Sequence, residues 1–64
     1  MARIAVELKR LLSAAGWVFL WQARGDHEIW QNPATGRKLT IDNNSKSRHL
    51  ANDLLKAAGL PKTF

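Results

Sequence analysis

The chain has 64 residues, and its ten Lys+Arg against five Asp+Glu leave a formal charge of +5. That length leaves room for one domain, residues 1–64, with a thin core that buries only ~60% of the surface the unfolded chain exposes. Without cysteine there is no disulfide framework and no thiolate metal site, and two histidines are too few for a metal cage. No cofactor or metal is therefore expected. The longest apolar run, Trp17 to Trp21, is far short of the ~20 residues of a membrane span, and the N-terminus lacks the apolar core of a secretion signal. These features suggest a cytoplasmic domain. The positive charge points to an anionic partner, RNA or DNA first; a merely solubilising surface is the other reading.

In chain order, Ile4, Leu8, Leu11, Leu12 and Ala15 fall at helical spacing, which predicts a helix over residues 4–15 stopped by Gly16. Residues 17–23 are aromatic and branched and read as a strand. Simple alternation places Trp17, Phe19 and Trp21 on one face, Val18 and Leu20 on the other. Both faces are apolar, so the pattern leaves open which one meets the core. Arg24-Gly25-Asp26 is turn chemistry, and residues 27–31 read as a second strand. Asn32-Pro33-Ala34-Thr35-Gly36 is a turn, followed by a third strand over 37–42 with Leu39 and Ile41 opposite Lys38 and Thr40. After the polar loop 43–46, Ser47 is suited to cap a last helix whose apolar face is Leu50, Ala51, Leu54, Leu55 and Ala58. Gly59 and Pro61 end it, leaving a loose tail 62–64 unless Phe64 docks back. The order predicts an α+β fold: a two-layer α-β-β-β-α sandwich, three antiparallel strands on two helices. Net charge is +2 in residues 1–21, −1 in 22–36 and +4 in 37–64, so the positive field sits on the third strand, the last loop and the last helix.

Three features carry chemistry. His27 follows a glycine-containing turn at the mouth of a strand, and an ordinary histidine pKa near ~6.5 suits acid–base work. Asp26 beside it would fix the tautomer or face away. Counting by two from Ile29 places His27 on the core side, unless it sits at the strand end or past an irregularity. His49 lies in the first turn of the last helix beside Lys46, Ser47 and Arg48, a setting that attracts phosphate. Among Trp17, Phe19, Trp21 and Trp30, at least two are expected in the core; any on the open sheet face would form an exposed partner patch. No phosphate-binding loop, dinucleotide fingerprint, carboxylate pair or H-E-x-x-H is present.

The ordered set Leu11-Leu12-x-x-x-Gly16-Trp17, Gly25-x-His27 with Trp30, Asn32-Pro33-x-Thr35-Gly36-Arg37 and Leu54-Leu55-Lys56-x-Ala58-Gly59-Leu60 resembles the HicA toxins, small ribosome-independent mRNA interferases of toxin–antitoxin pairs. The resemblance covers nearly the whole chain. It implies the double-stranded-RNA-binding-domain-like fold, an mRNA substrate, a HicB-like antitoxin partner, and His27 at the place of the catalytic histidine in the family's Gly-Ser-His motif. Asp26 stands where that motif has serine. The stretch between Gly16 and Gly25 is one residue longer than usual, with Trp21 where an Arg often stands, and a bulge there would re-aim its side chains. Lys46-Ser47-Arg48-His49 departs from the usual Pro-Gly-Thr-type helix start. RNA carries its own nucleophile, the 2′-hydroxyl, so a minimal nuclease needs only proton transfer and cations. His27 is the expected acid–base group and His49 a second candidate, with Arg24, Lys38, Lys46 and Arg48 to hold phosphates. A non-catalytic RNA-binding module is the runner-up, and a protein–protein adaptor the third reading.

Overall fold

The computed structural model describes residues 3–64. Its elements are α1 (Arg3–Ala14), β1 (Val18–Gln22), β2 (His27–Gln31), β3 (Lys38–Asp42) and α2 (Arg48–Ala57). The α-β-β-β-α order read from the sequence is the order of the fold.

Ala5, Leu8 and Leu12 recur every three or four residues and are the buried stripe of α1, with Ile4 and Leu11 half-buried at its margins. The helix closes on Gly16, whose φ of +93° lies where a side chain would clash. That conformation lets the Trp17 N–H reach the Leu12 carbonyl (2.9 Å) and the Gly16 N–H reach the Ser13 carbonyl (3.1 Å), satisfying two carbonyls the helix leaves open. In α2 the same pattern recurs, with Leu60 N–H on the Leu55 carbonyl at 2.8 Å. Its start is capped by the Ser47 hydroxyl, which accepts from the Leu50 N–H at 3.1 Å.

The strands form a meander in the order β1-β2-β3, antiparallel throughout. Cross-strand partners share a face, so the register defines both sides of the sheet. Phe19–Trp30–Leu39 and Gln22–Glu28–Ile41 belong to the side the helices cover; Val18–Gln31–Lys38, Trp21–Ile29–Thr40 and His27–Asp42 belong to the open side. Leu8 and Leu12 of α1, Ala51 and Leu55 of α2, and Trp17, Trp30 and Ile41 make one core. Leu12, Ile41 and Leu55 are completely buried, each contributing about 1.5–3 kcal/mol.

Two expectations are corrected here. Phe19 and Trp21 do not share a face, because the pairing slips by one residue at Leu20: Phe19 opposes Trp30 and Trp21 opposes Ile29. This bulge inserts one residue into β1 and turns everything after it over. Leu50, expected on the apolar face of α2, is 56% exposed; it shares one margin of the stripe with Leu54, and only Leu54 reaches the core.

The C-terminal tail is docked. Asn52 accepts from the backbone N–H groups of Thr63 (3.2 Å) and Phe64 (3.0 Å) and donates to the Phe64 carbonyl (2.9 Å), while the Phe64 ring packs against the core. At the opposite end of α2 from its cap, the Arg37 guanidinium donates to the Ala57 carbonyl (3.2 Å), tying the start of β3 to the negative end of the helix.

Candidate active site on the open sheet face

His27 is the first residue of β2 and is exposed on the open face. The turn before it is closed by the Ala23 N–H on the His27 carbonyl (2.8 Å) and passes through Gly25 at φ +67°. The Gln22 amide bridges the same turn, donating to the carbonyls of His27 (2.8 Å) and Gly25 (3.2 Å). His27 Nδ1 lies 2.9 Å from the Arg24 carbonyl oxygen. A carbonyl only accepts, so Nδ1 carries the proton and the neutral ring presents Nε2 as a free base.

The accessibility of His27 corrects the count from Ile29. That count took Ile29 as the core residue of β2, whereas Glu28 and Trp30 are the buried ones. Counting from Trp30 places Glu28 inside and His27 outside.

Glu28 is the buried neighbour of His27 that sequence reasoning missed. Its carboxylate lies under the sheet, accepting from Lys9 Nζ (3.2 Å), Asn43 Nδ2 (2.7 Å) and Trp30 Nε1 (3.0 Å). Lys9 also donates to Asn43 Oδ1 at 2.8 Å. Burial pushes the Glu28 carboxyl up, but the hydrogen bonds from Trp30, Asn43 and Lys9, with the Lys9 charge, outweigh it and hold its pKa below the ordinary carboxylate value. The same loop grips the other neighbour of His27. The Asn43 N–H donates to the Asp26 carbonyl (2.9 Å), and the Asn44 amide donates to the Asp26 carboxylate. The residues on both sides of His27 are thus pinned to Asn43-Asn44, and the His27 tautomer is set by Arg24 rather than by Asp26.

On the same face, Trp21 is 50% exposed and Lys38 Nζ stands 5.9 Å from the centre of its ring. In the register Trp21 opposes Ile29, which opposes Thr40, and Lys38 is two residues along β3 from Thr40. Trp17 and Trp30 are core residues at 3% and 8% exposure. Arg24, in the turn, is exposed. The other expected site residues lie elsewhere. Lys46 is in the loop after β3, and Arg48 and His49 begin α2, which packs on the covered side of the sheet. His49 is 87% exposed, its Nε2 3.7 Å from Asp53 Oδ2 one turn along the helix. On the open face Trp21 is the diagonal neighbour of His27, and Lys38 lies beyond Trp21, at the opposite end of β3 from Asp42, the partner of His27. Arg24 is in the turn before His27, Lys46 in the loop whose first residues bond Asp26, and Arg48 and His49 at the start of the helix on the covered side. Among the described residues no cluster of His, Cys, Asp or Glu is arranged to hold a metal ion, and no helix is long and apolar enough to cross a membrane.

Fold and site together define a small, basic α+β domain with a tautomer-fixed histidine on the uncovered face of its sheet. A family model for the HicA toxin of bacterial toxin–antitoxin systems matches residues 5–60. The chain belongs to the HicA toxin family. Comparison with curated proteins and with solved structures found no match.

Proposed function

We propose that this toxin is an endoribonuclease, a ribosome-independent mRNA interferase in which His27 transfers the proton. The observation that supports it is the His27 Nδ1 bond to the Arg24 carbonyl, which makes Nε2 the proton-accepting nitrogen of the neutral ring on an exposed side chain. In this reading Nε2 takes the proton of a ribose 2′-hydroxyl, and the 2′-oxygen attacks the adjacent phosphorus. The bond to the 5′-oxygen breaks and that oxygen takes a proton from water, giving a 2′,3′-cyclic phosphate and a 5′-hydroxyl. Arg24, in the turn before His27, holds a phosphate next to the break, and Lys38, on the same face beyond Trp21, holds a neighbouring one. Lys46 and Arg48 hold the strand further along. His49 is a second proton-transfer group only for an RNA that reaches from β2 to the start of α2. Its partner is a HicB-like antitoxin that covers the His27 rim, and its place of action is the cytoplasm.

The runner-up, a non-catalytic RNA-binding module, draws on the same positive charge. Incubating the protein with an RNA and with its fully 2′-O-methylated counterpart separates the two. The nuclease reading predicts that the first strand is cut and the second stays whole. Binding of both with neither cut would sink it.

A further inference from the structure

We propose that Trp21 is a stacking platform for one unpaired base of the RNA, with Lys38 holding the phosphate beside it. This inference rests on reading RNA as the ligand. A half-exposed tryptophan on a sheet is a costly use of the largest apolar side chain, and here it is the bulge at Leu20 that places it there. Without that extra residue, alternation from Phe19 would turn position 21 towards the helices. Ile29 forms the floor beside the ring, with Val18 and Thr40 on the same face, and this makes an apolar strip rather than an isolated ring.

Charge decides the occupant. The cation nearest the ring is Lys38, and the chain as a whole carries +5. The acidic member of this face, Asp42, stands opposite His27 at the other end of β3 from Lys38 and accepts the Asn44 N–H at 2.9 Å. An aromatic face with a cation at its edge suits a nucleotide, whose base stacks while its phosphate meets the ammonium. The base must be unpaired, because duplex bases are already stacked on each other. Position fits the chemistry as well. Trp21 opposes Ile29, and His27 is two residues along β2 from Ile29, so Trp21 and His27 are diagonal neighbours. Such positions are roughly 7–8 Å apart, a span that one nucleotide of an extended strand can bridge. The platform would thus seat the base next to the bond that is cut.

The test uses a 2′-O-methyl oligonucleotide of mixed sequence, which binds without being cut, and the same strand with abasic positions. Trp21 is the exposed tryptophan, so stacking should quench its fluorescence while Trp17 and Trp30 stay shielded. Trp21→Ala should weaken binding roughly 5- to 150-fold, the usual range for losing one stacked base. Trp21→Phe should keep most of the affinity and lose the quench. Lys38→Ala should reduce the salt slope of log affinity by roughly 0.7. Equal binding by Trp21→Ala and wild type overturns the platform while leaving the nuclease reading intact. Equal binding of the abasic strand overturns it too. A wild-type protein that neither binds nor cuts RNA overturns both. If Trp21→Ala escapes the antitoxin yet binds RNA normally, the face belongs to the protein partner and the platform is rejected.

Discussion

Replacing Lys9 by methionine keeps the aliphatic stem and removes the charge that balances Glu28. In the native chain Lys9 Nζ is 3.2 Å from Glu28 Oε2 and 2.8 Å from Asn43 Oδ1, and the two side chains of the ion pair are only 15% and 12% exposed. Removing one partner of a buried pair costs about 3–5 kcal/mol, because the other charge stays buried without it. Trp30 and Asn43 still bond the carboxylate, which places Lys9→Met near the lower end, about 3 kcal/mol. A domain of 64 residues has on the order of 3–10 kcal/mol of stability in all, so the loss is severe. Circular-dichroism melts should show a midpoint lower by about 12–24 °C near neutral pH. The sign of the pH dependence is a second check. The folded pKa of Glu28 lies below its unfolded value, so in the wild type its contribution is present above about pH 4.5 and is lost as pH falls through the folded value. In the variant, burial acts without the lysine, and protonation relieves the strain. The gap between the two proteins should therefore narrow on acidification. Adding Glu28→Gln to Lys9→Met should recover most of the loss. A variant that melts with the wild type, or a gap that is independent of pH, would refute the assignment of a buried, charge-balanced network.

The tail and the helix margins give simpler tests. Asn52→Ala removes three bonds to the backbone of Thr63 and Phe64; chemical denaturation should show a loss of about 1–3 kcal/mol, and proteolysis should then begin at the C-terminus. Leu50→Gln should change stability by less than about 0.5 kcal/mol, whereas Leu55→Ala, at a fully buried position, should cost about 2–5 kcal/mol. Equal effects at the two positions would contradict the orientation of α2.

Helix ends were the most legible part of the chain, because Gly16, Ser47 and Gly59 act through local backbone bonds that hardly depend on the rest of the fold. The strands were legible as strands but not as faces. β1 is apolar on both sides, and its bulge at Leu20 is set by pairing with β2, a non-local event that alternation does not encode. β2 misled for a different reason. Ile29 is the more apolar neighbour of Glu28, and a period-two count naturally begins there. Burying a glutamate became favourable only because Lys9 from α1 and Asn43 from the β3–α2 loop converge on it, from 19 and 15 residues away. His27 was singled out as a candidate from Gly25-x-His27 and the family resemblance. What the sequence could not show was that the Arg24 carbonyl, not Asp26, fixes its tautomer.

The central claim is that His27 moves the proton in RNA cleavage. The direct measurement is the single-turnover cleavage rate of a His27→Ala variant shown by circular dichroism to fold like the wild type. His27 is exposed and outside the core, so the substitution should leave the fold in place. The account predicts a rate lower by roughly 10²–10⁴-fold with RNA binding largely kept, as expected for loss of one acid–base group. A folded His27→Ala protein that cuts RNA at the wild-type rate would contradict it.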